Sequence, residues 1–493
     1  MSATLARPER VSLAPGLEIS RIVTGLWQVA DLERAGPLDP HEAAQALAAY
    51  AKAGFDSFDM ADHYGSAEVI TGRFLAKVGG ESRLPEGVRP VALTKWCPEP
   101  GAMDPDVVRA GIERSRQRLG VKTIDLLQFH WWRFEHPGYL DAMAALEGLR
   151  REGLIAHLGV TNVDTDHLRV LIKQGFPVVS NQVSFSLLDR RAAGAMSDLC
   201  LEHGIGLLAY GTLGGGFLSD RWVGASPPEE IGDWSKQKYR RFVEVLGGWD
   251  MLQTLLAALA EIARKHDVSV ANVATRWVLQ QPAVRAIIVG ARLGEREHRA
   301  DNLRLFSFAL DAGDHARIAR ALADARPIPG DCGDEYRRPP FLTASGDLRH
   351  HLESFAKVWP SEAIEGRPDR LRVDSGSRFE ELAGYSRAVR IGNRILVSGT
   401  TATHGEGEVV CRGDAHGQAV YILDKIAASI EALGGTLADV VRTRIYLRDL
   451  DQWQAVAAVH GRRFRDIRPA CTLVGARLIG DYDVEIEAEA VLG

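Results

Sequence analysis

Cysteine is scarce in this chain: 5 residues among 493, Cys97, Cys200, Cys332, Cys411 and Cys471, with no two at Cys-x-x-Cys spacing. A scattered, odd set argues against a disulfide framework and against a structural zinc site, so no metal is expected and a reducing, cytoplasmic setting fits. Excess positive charge is also missing. Lys plus Arg comes to 59 and Asp plus Glu to 65, a formal net charge of −6, which argues against a broad nucleic-acid-binding face. No apolar run approaches the roughly 20 residues that cross a bilayer, and the opening Met1-Ser-Ala-Thr-Leu-Ala-Arg-Pro has no apolar signal core. The expectation is a protein with neither membrane nor nucleic-acid partners.

What is present is ordinary globular composition, 46% hydrophobic and 25% charged, long enough for two or three domains at roughly 150 residues each. The first two thirds alternate short β-rich runs with amphipathic stretches. Strands are predicted at Ile22–Trp27, Phe55–Asp59, Pro90–Thr94, Ile124–Phe129, Ala156–Val160, Val178–Gln182, Gly206–Tyr210 and Ala286–Gly290, with helical spacing between them, as in Pro40–Ala53 and Pro105–Leu119. Several runs are apolar on both faces, as parallel strands covered on both sides must be. Eight β-then-α units predict an α/β fold, a (β/α)₈ TIM barrel over residues 1–326. The alternative is an open doubly wound sheet, but no Gly-x-Gly-x-x-Gly turn follows an early strand. Prolines crowd residues 327–378, which are predicted as a surface linker with one short helix at Asp347–Val358. Residues 379–493 form a smaller α+β unit: strands at Ser386–Ile391, Arg394–Gly399, Val441–Leu447, Cys471–Leu478 and Asp483–Val491, helices at Asp414–Leu433 and Leu450–Phe464.

In a barrel of this kind, chemistry gathers at the C-terminal ends of the strands. Asp59 closes Phe55-Asp-Ser-Phe-Asp, Tyr64 follows in the loop behind it, Lys95 ends Val91-Ala-Leu-Thr-Lys, and His130 ends Asp125-Leu-Leu-Gln-Phe-His. Any one of these has an ordinary explanation as helix cap, solvated charge or packed ring. All four would project into one mouth, and that conjunction points to a site. The segment Phe58-Asp-Met-Ala-Asp-His-Tyr-Gly-Ser-Ala-Glu resembles the Asp-x-Ala-x-x-Tyr-Gly-x-x-Glu signature of the aldo-keto reductases. Thr94-Lys95, Leu126-Leu-Gln-Phe-His130, Gly159-Val-Thr-Asn162, Asn181-Gln182 and Leu208-Ala-Tyr210-Gly-Thr-Leu-Gly-Gly-Gly216 resemble that family's later segments in order. The resemblance implies an NADP-dependent oxidoreductase that reduces an aldehyde or ketone, or oxidises the matching alcohol or sugar. Tyr64 would be the acid. A phenol with a pKa of about 10 donates poorly at neutral pH. The Lys95 ammonium, held by Asp59, would stabilise the phenolate, and His130 would hydrogen-bond the substrate oxygen and stabilise developing charge.

The same resemblance lays NADP(H) across the barrel mouth. Tyr210 would stack on the nicotinamide, and Thr161, Asn162 and Gln182 would bond its carboxamide. Gly211 and Leu213, in the loop Gly211–Phe217, would lie against the pyrophosphate, where glycine lets the backbone come close. The segment Gly290-Ala-Arg-Leu-Gly-Glu-Arg-Glu-His-Arg-Ala-Asp-Asn302 resembles the adenosine-phosphate segment, bounded by Gly290 and Asn302, with Arg292 and Arg296 able to grip a 2′-phosphate. Trp27, Trp96, Trp131 and Trp132 are candidates for an aromatic substrate wall.

Farther on, Tyr385-Ser-Arg-Ala-Val-Arg-Ile-Gly-Asn-Arg-Ile-Leu-Val-Ser-Gly-Thr, Asp439-Val-Val-Arg-Thr-Arg-Ile-Tyr-Leu-Arg-Asp-Leu and Val484-Glu-Ile-Glu-Ala resemble the Rid (YjgF-like) family. That resemblance implies a chorismate-mutase-like α+β fold, a homotrimer and small-molecule clefts between subunits. The family's hydrolysis of enamines and imines uses an arginine in Pro-Ala-Arg to clamp a carboxylate. Here that position is Cys471, in Arg468-Pro-Ala-Cys-Thr, whereas Tyr385 and Glu485 match the cleft's tyrosine and acid. Cys471 is read either as a thiol in the cleft or, in preference, as a small buried residue. Two functions compete with the leading one: a redox-sensing nicotinamide-binding regulatory protein, and a bifunctional reductase plus imine/enamine hydrolase.

Overall fold

A computed structural model describes residues 7–29, 39–78, 84, 88–231, 234–293, 298–338 and 355–493. An antiparallel hairpin, β1 (Arg10–Ala14) and β2 (Leu17–Ser20), comes first. Eight parallel strands follow: β3 (Ile22–Gly25), β4 (Ser57–Asp59), β5 (Val91–Trp96), β6 (Ile124–His130), β7 (Ile155–Thr161), β8 (Val178–Ser184), β9 (Gly206–Tyr210) and β10 (Val284–Gly290). They pair in sequence order and close where β10 meets β3. The hairpin plugs the floor, with Leu13, Leu17 and Ile19 packed against Leu93, Leu126, Leu208 and Ala286.

The predicted spans Gly206–Tyr210 and Pro105–Leu119 coincide with the structure to the residue, and the other barrel strands shift at their ends by a residue or two. The helix has sharp local signals. Pro105 opens it at a position that needs no N–H, and Gly120 at φ +65° ends it in the left-handed conformation. The first strand is shorter than predicted because the Leu26 N–H turns to the Asp59 carbonyl and the chain enters a 3-10 turn at Trp27–Val29.

The C-terminal unit is a seven-stranded sheet. Its strands are β11 (Ser361–Ile364), β12 (Arg367–Val373), β13 (Ala388–Ile391), β14 (Arg394–Thr401), β17 (Val440–Leu447), β18 (Ala470–Gly475) and β19 (Val484–Val491), and between β14 and β17 the strands β15 (Thr403–His404) and β16 (Glu408–Val409) form a separate small hairpin. The order is β11-β12-β13-β14-β19-β17-β18, with β17 and β18 parallel. Two strands therefore come from the stretch predicted as a linker. β12 pairs antiparallel with β13 and extends the sheet past the expected domain, so only part of residues 327–378 is connection. Of the short helix expected at Asp347–Val358, residues 347–354 lie outside the described residues, and 355–358 are not helical.

The barrel does not hang from this connection. The helix Ala415–Ala432 is buried almost all round, because one side covers its own sheet and the other packs on the barrel helix Thr165–Lys173. Charged pairs line the seam. Arg169 grips Asp414 with two bonds of 2.8 and 2.7 Å, Asp166 accepts from His416 and Arg462, His404 meets Asp141, and Arg133 meets Glu431. Among the described residues no single helix is long and apolar enough to cross a membrane.

Candidate active site

Asp59 and His130 end β4 and β6, Lys95 is next to last in β5 between them, and Tyr64 stands in the loop behind β4, its ring edge-on to Trp27 at 4.9 Å. Lys95 Nζ donates to Asp59 Oδ2 at 2.6 Å and to the Met60 carbonyl at 3.0 Å, and lies 4.9 Å from the Tyr64 ring centroid. A buried ion pair holds only when its remaining lone pairs are satisfied. Here Asp59 Oδ1 accepts from Gln128 Nε2 at 3.0 Å and Gln182 Nε2 at 2.7 Å. The carboxylate is thus fixed from three strands, and it fixes the lysine.

His130 Nδ1 lies 3.2 Å from the Thr161 carbonyl, an acceptor, so Nδ1 carries the proton. Burial, reinforced by the Arg337 guanidinium, pushes the imidazole well below its usual range, and the ring is neutral. Its Nε2 is buried without a partner among the described residues. As placed it presents a lone pair to the mouth. Donation to a substrate oxygen, the expected role, requires the proton on Nε2 and forfeits the Thr161 bond.

The mouth opens into a cavity of about 630 Å³. Thr161, Asn162, Gln182, Tyr210, Gly211, Leu213, Gly290, Arg292 and Asn302, the residues assigned above to a dinucleotide, all line it. Arg296 lies outside the described residues. Three details differ from the expectation. The Gln182 amide N is spent on Asp59 and Gln128, Thr161 Oγ1 donates to the Gln182 carbonyl, and Asn162 Oδ1 accepts from Tyr210 Oη at 2.8 Å. Of the tryptophans, Trp27 and Trp132 line the cavity and Trp96 and Trp131 do not. Strand alternation decides this. With Lys95 and His130 facing inward, Trp96 turns out against Phe129 and Gly111, and Trp131 turns out to bond the His136 carbonyl.

The wall opposite comes from residues 331–338, inside the predicted linker. Tyr336 Oη meets Tyr210 Oη at 3.3 Å and accepts from Lys238 Nζ at 2.8 Å, and its ring stands edge-on to His130. Glu335 is fully buried and bonds Arg191 at 2.8 Å. Burial raises its carboxyl, but Arg191 and Lys238 outweigh that and hold it down to about 2. Gly333, at φ +83°, presses so close to the Asn162 carbonyl that a Cβ would sit 2.1 Å from its oxygen. The available signal was Asp331-Cys-Gly-Asp-Glu-Tyr-Arg, a charged, aromatic run where a solvated linker needs neither.

In the C-terminal unit, Tyr385 stacks near Arg387, which is buried, donates to the Gly399 carbonyl at 2.6 Å and faces Glu380. Burial raises the Glu485 carboxyl despite Arg387 nearby. Cys471, preferred as a buried residue, is exposed, because β18 is the open edge of the sheet.

Residues 21–323 match the Aldo/keto reductase family, and residues 375–492 match the family described as Endoribonuclease L-PSP. The NADH-specific methylglyoxal reductase of Escherichia coli (strain K12) is 26% identical over 63% of this chain and 96% of its own length. Flagellar radial spoke protein 5 of Chlamydomonas reinhardtii is 32% identical over 34% of this chain, which spans only 38% of that protein's length. Among solved structures, a glycerol dehydrogenase from Gluconobacter oxydans covers 65% of this chain and 97% of its own at 23% identity and a TM-score of 0.52, a likeness of fold. A Mycobacterium tuberculosis member of the YjgF/YER057c/UK114 family is 44% identical over 25% of this chain and 99% of its own, with a TM-score of 0.23.

Proposed function

Since the chain belongs to the aldo/keto reductase family and carries a Rid-like domain behind its barrel, we propose that it is an NADP(H)-dependent reductase of an aldehyde or ketone, or the matching alcohol dehydrogenase, with Tyr64 exchanging the proton. The observation that carries this reading is Lys95, pinned by Asp59 at 2.6 Å and set 4.9 Å from the Tyr64 ring.

The cavity fits a nicotinamide dinucleotide: it runs from the tetrad past Tyr210 and Gly211 to Gly290, Arg292 and Asn302, and an orphan polar atom, His130 Nε2, sits at the tetrad end. When bound, the nicotinamide supplies or takes the hydride. The chain's own residues handle the proton. The Lys95 ammonium stabilises negative charge on the Tyr64 oxygen as its proton leaves, and Asp59 keeps the ammonium in place. His130 Nε2, as an acceptor, orients the hydroxyl formed in reduction or consumed in oxidation. Tyr64→Phe should bind NADPH within a few fold of wild type and lose about 10²–10⁴ in turnover. Near-normal turnover would overturn the assignment, and no turnover by wild type across aldehydes, ketones, alcohols and sugars would favour a redox sensor.

Arg292 at the far end of the cavity supports NADP over NAD as partner, although one relative is named NADH-specific. NADPH should bind tighter than NADH, and Arg292→Ala should narrow the gap by about tenfold or more, the worth of a charge-assisted phosphate bond. Equal affinities in the wild type would refute it. Trimerisation is supported by the sheet face turned away from the barrel, where Leu396, Val441 and Val474 are exposed. Light scattering of the full chain decides between trimer and monomer.

A further inference from the structure

A second cavity, of about 210 Å³, lies where the barrel, the 331–338 wall and the C-terminal domain meet. Phe134, Asp164 and His167 line it from the barrel, Arg337 and Arg338 from the wall, and Asp424 and Arg463 from the C-terminal domain. Four of its five carboxylates are matched, and the fifth, Glu135, meets Arg133 only at 4.0 Å. Asp164 accepts from His167 at 2.6 Å. Asp424 accepts from His167 at 2.8 Å and Arg463 at 2.5 Å. Glu431 meets Arg133, and Asp334 accepts from the Asp331 N–H at 2.7 Å.

Among the described residues, the buried unmatched atoms of this cavity are donors. Arg337 lies over the Phe134 ring at 4.5 Å and spends Nη2 on the Trp131 carbonyl at 2.7 Å. Its Nε and Nη1 are buried and have no acceptor among the described residues. A buried guanidinium N–H left unmatched is costly; Nε and Nη1 lie on different edges of the planar group, so each offers a charge-assisted bond to one anionic oxygen of a carboxylate or phosphate rather than a shared fork. Arg338, on the exposed rim, is held by Asp334 only at 3.7 Å.

We propose that this interdomain cavity is a binding site for a small metabolite bearing a carboxylate or phosphate, received by the unmatched N–H donors of Arg337 with Arg338 at its entrance. The position gives the site a route to the reductase mouth. Arg337 adjoins Tyr336, which contacts Tyr210 and Lys238, and it holds the carbonyl of Trp131, next to His130. Occupancy should therefore shift the KM of the carbonyl or alcohol substrate, a consequence that rests on the function proposed above; binding itself does not.

The test is calorimetric titration of the full chain with inorganic phosphate and, separately, with malonate, at constant ionic strength. It is run on the NADPH-saturated protein and on Arg292→Ala, so that the dinucleotide site is occupied or weakened. Saturable binding of one probe is expected, retained in Arg292→Ala, weakened about tenfold or more in Arg337→Gln and several fold in Arg338→Ala. Which probe binds tells phosphate from carboxylate. If Arg337→Gln does not fold, Arg338→Ala alone must show the weakening. No saturable binding of either probe, binding indifferent to the wall variants, or binding lost in Arg292→Ala would each overturn the proposal.

Discussion

His167 gives the domain seam a defined pH dependence. Its ring stacks on Phe134 at 3.7 Å and 9°, with Nδ1 on Asp164 and Nε2 on Asp424. Burial opposes its charge, but the two carboxylates outweigh burial and carry the imidazolium up to about 9. Its unfolded value is about 6.5. A group whose folded pKa is raised stabilises fully below the unfolded value and loses that contribution as pH climbs through the folded one. The window is therefore about pH 6.5 to 9. The gap of about 2.5 units, at about 1.36 kcal/mol each, sets an upper figure of about 3 kcal/mol. His167→Gln keeps hydrogen-bonding ability but cannot carry charge, and leaves two carboxylates facing a neutral amide. Urea midpoints of both proteins between pH 6 and 10 measure the effect. The wild type should be the more stable at pH 6.5, and the gap should close by pH 10. A gap that is constant with pH, or absent at pH 6.5, would show that His167 is not held as a charge between the domains.

Three further outcomes follow from the wall and the assembly. Gly333→Ala puts a Cβ against the Asn162 carbonyl in a left-handed conformation, which should cost about 1–2 kcal/mol in melting experiments from the backbone alone and raise the cofactor KM; unchanged kinetics would mean the segment does not shape the mouth. Glu335→Gln weakens the hold on Arg191 and Lys238 and should raise the substrate KM across neutral pH. Since Glu335 is held down to about 2, its contribution in the wild type should fade only as pH falls from about 4.5 toward that value, and an earlier loss would contradict the ion-pair geometry. A chain ending at Arg338 keeps the wall and should be monomeric by light scattering while still oxidising NADPH; a trimeric barrel would move the assembly surface off the C-terminal sheet.

Much of the barrel was legible in the sequence because its signals are local. Buried parallel strands must be apolar on both faces, and a proline start with a glycine stop brackets Pro105–Leu119 within a few residues of chain. The four tetrad positions were legible for the same reason, since each falls at a strand end or in the loop behind one, and a barrel gathers strand ends at one rim. Tertiary structure decided the rest. Which tryptophans face the cavity depends on strand register, because a one-residue step reverses every side chain; Trp132 turns in and Trp131 turns out. The proline-rich stretch carries no period of its own, and β12 is a strand only because β13 offers it an edge, a partner that no local pattern reveals. Tyr336 reaches the mouth, with Glu335 and Arg337 packed behind it, through contacts with Tyr210, Arg191 and Trp131, more than 120 residues earlier in the chain. The proton on His130 was likewise settled by a neighbouring strand, through the Thr161 carbonyl. Sequence carried the period and the strand ends; long-range packing chose what those ends face.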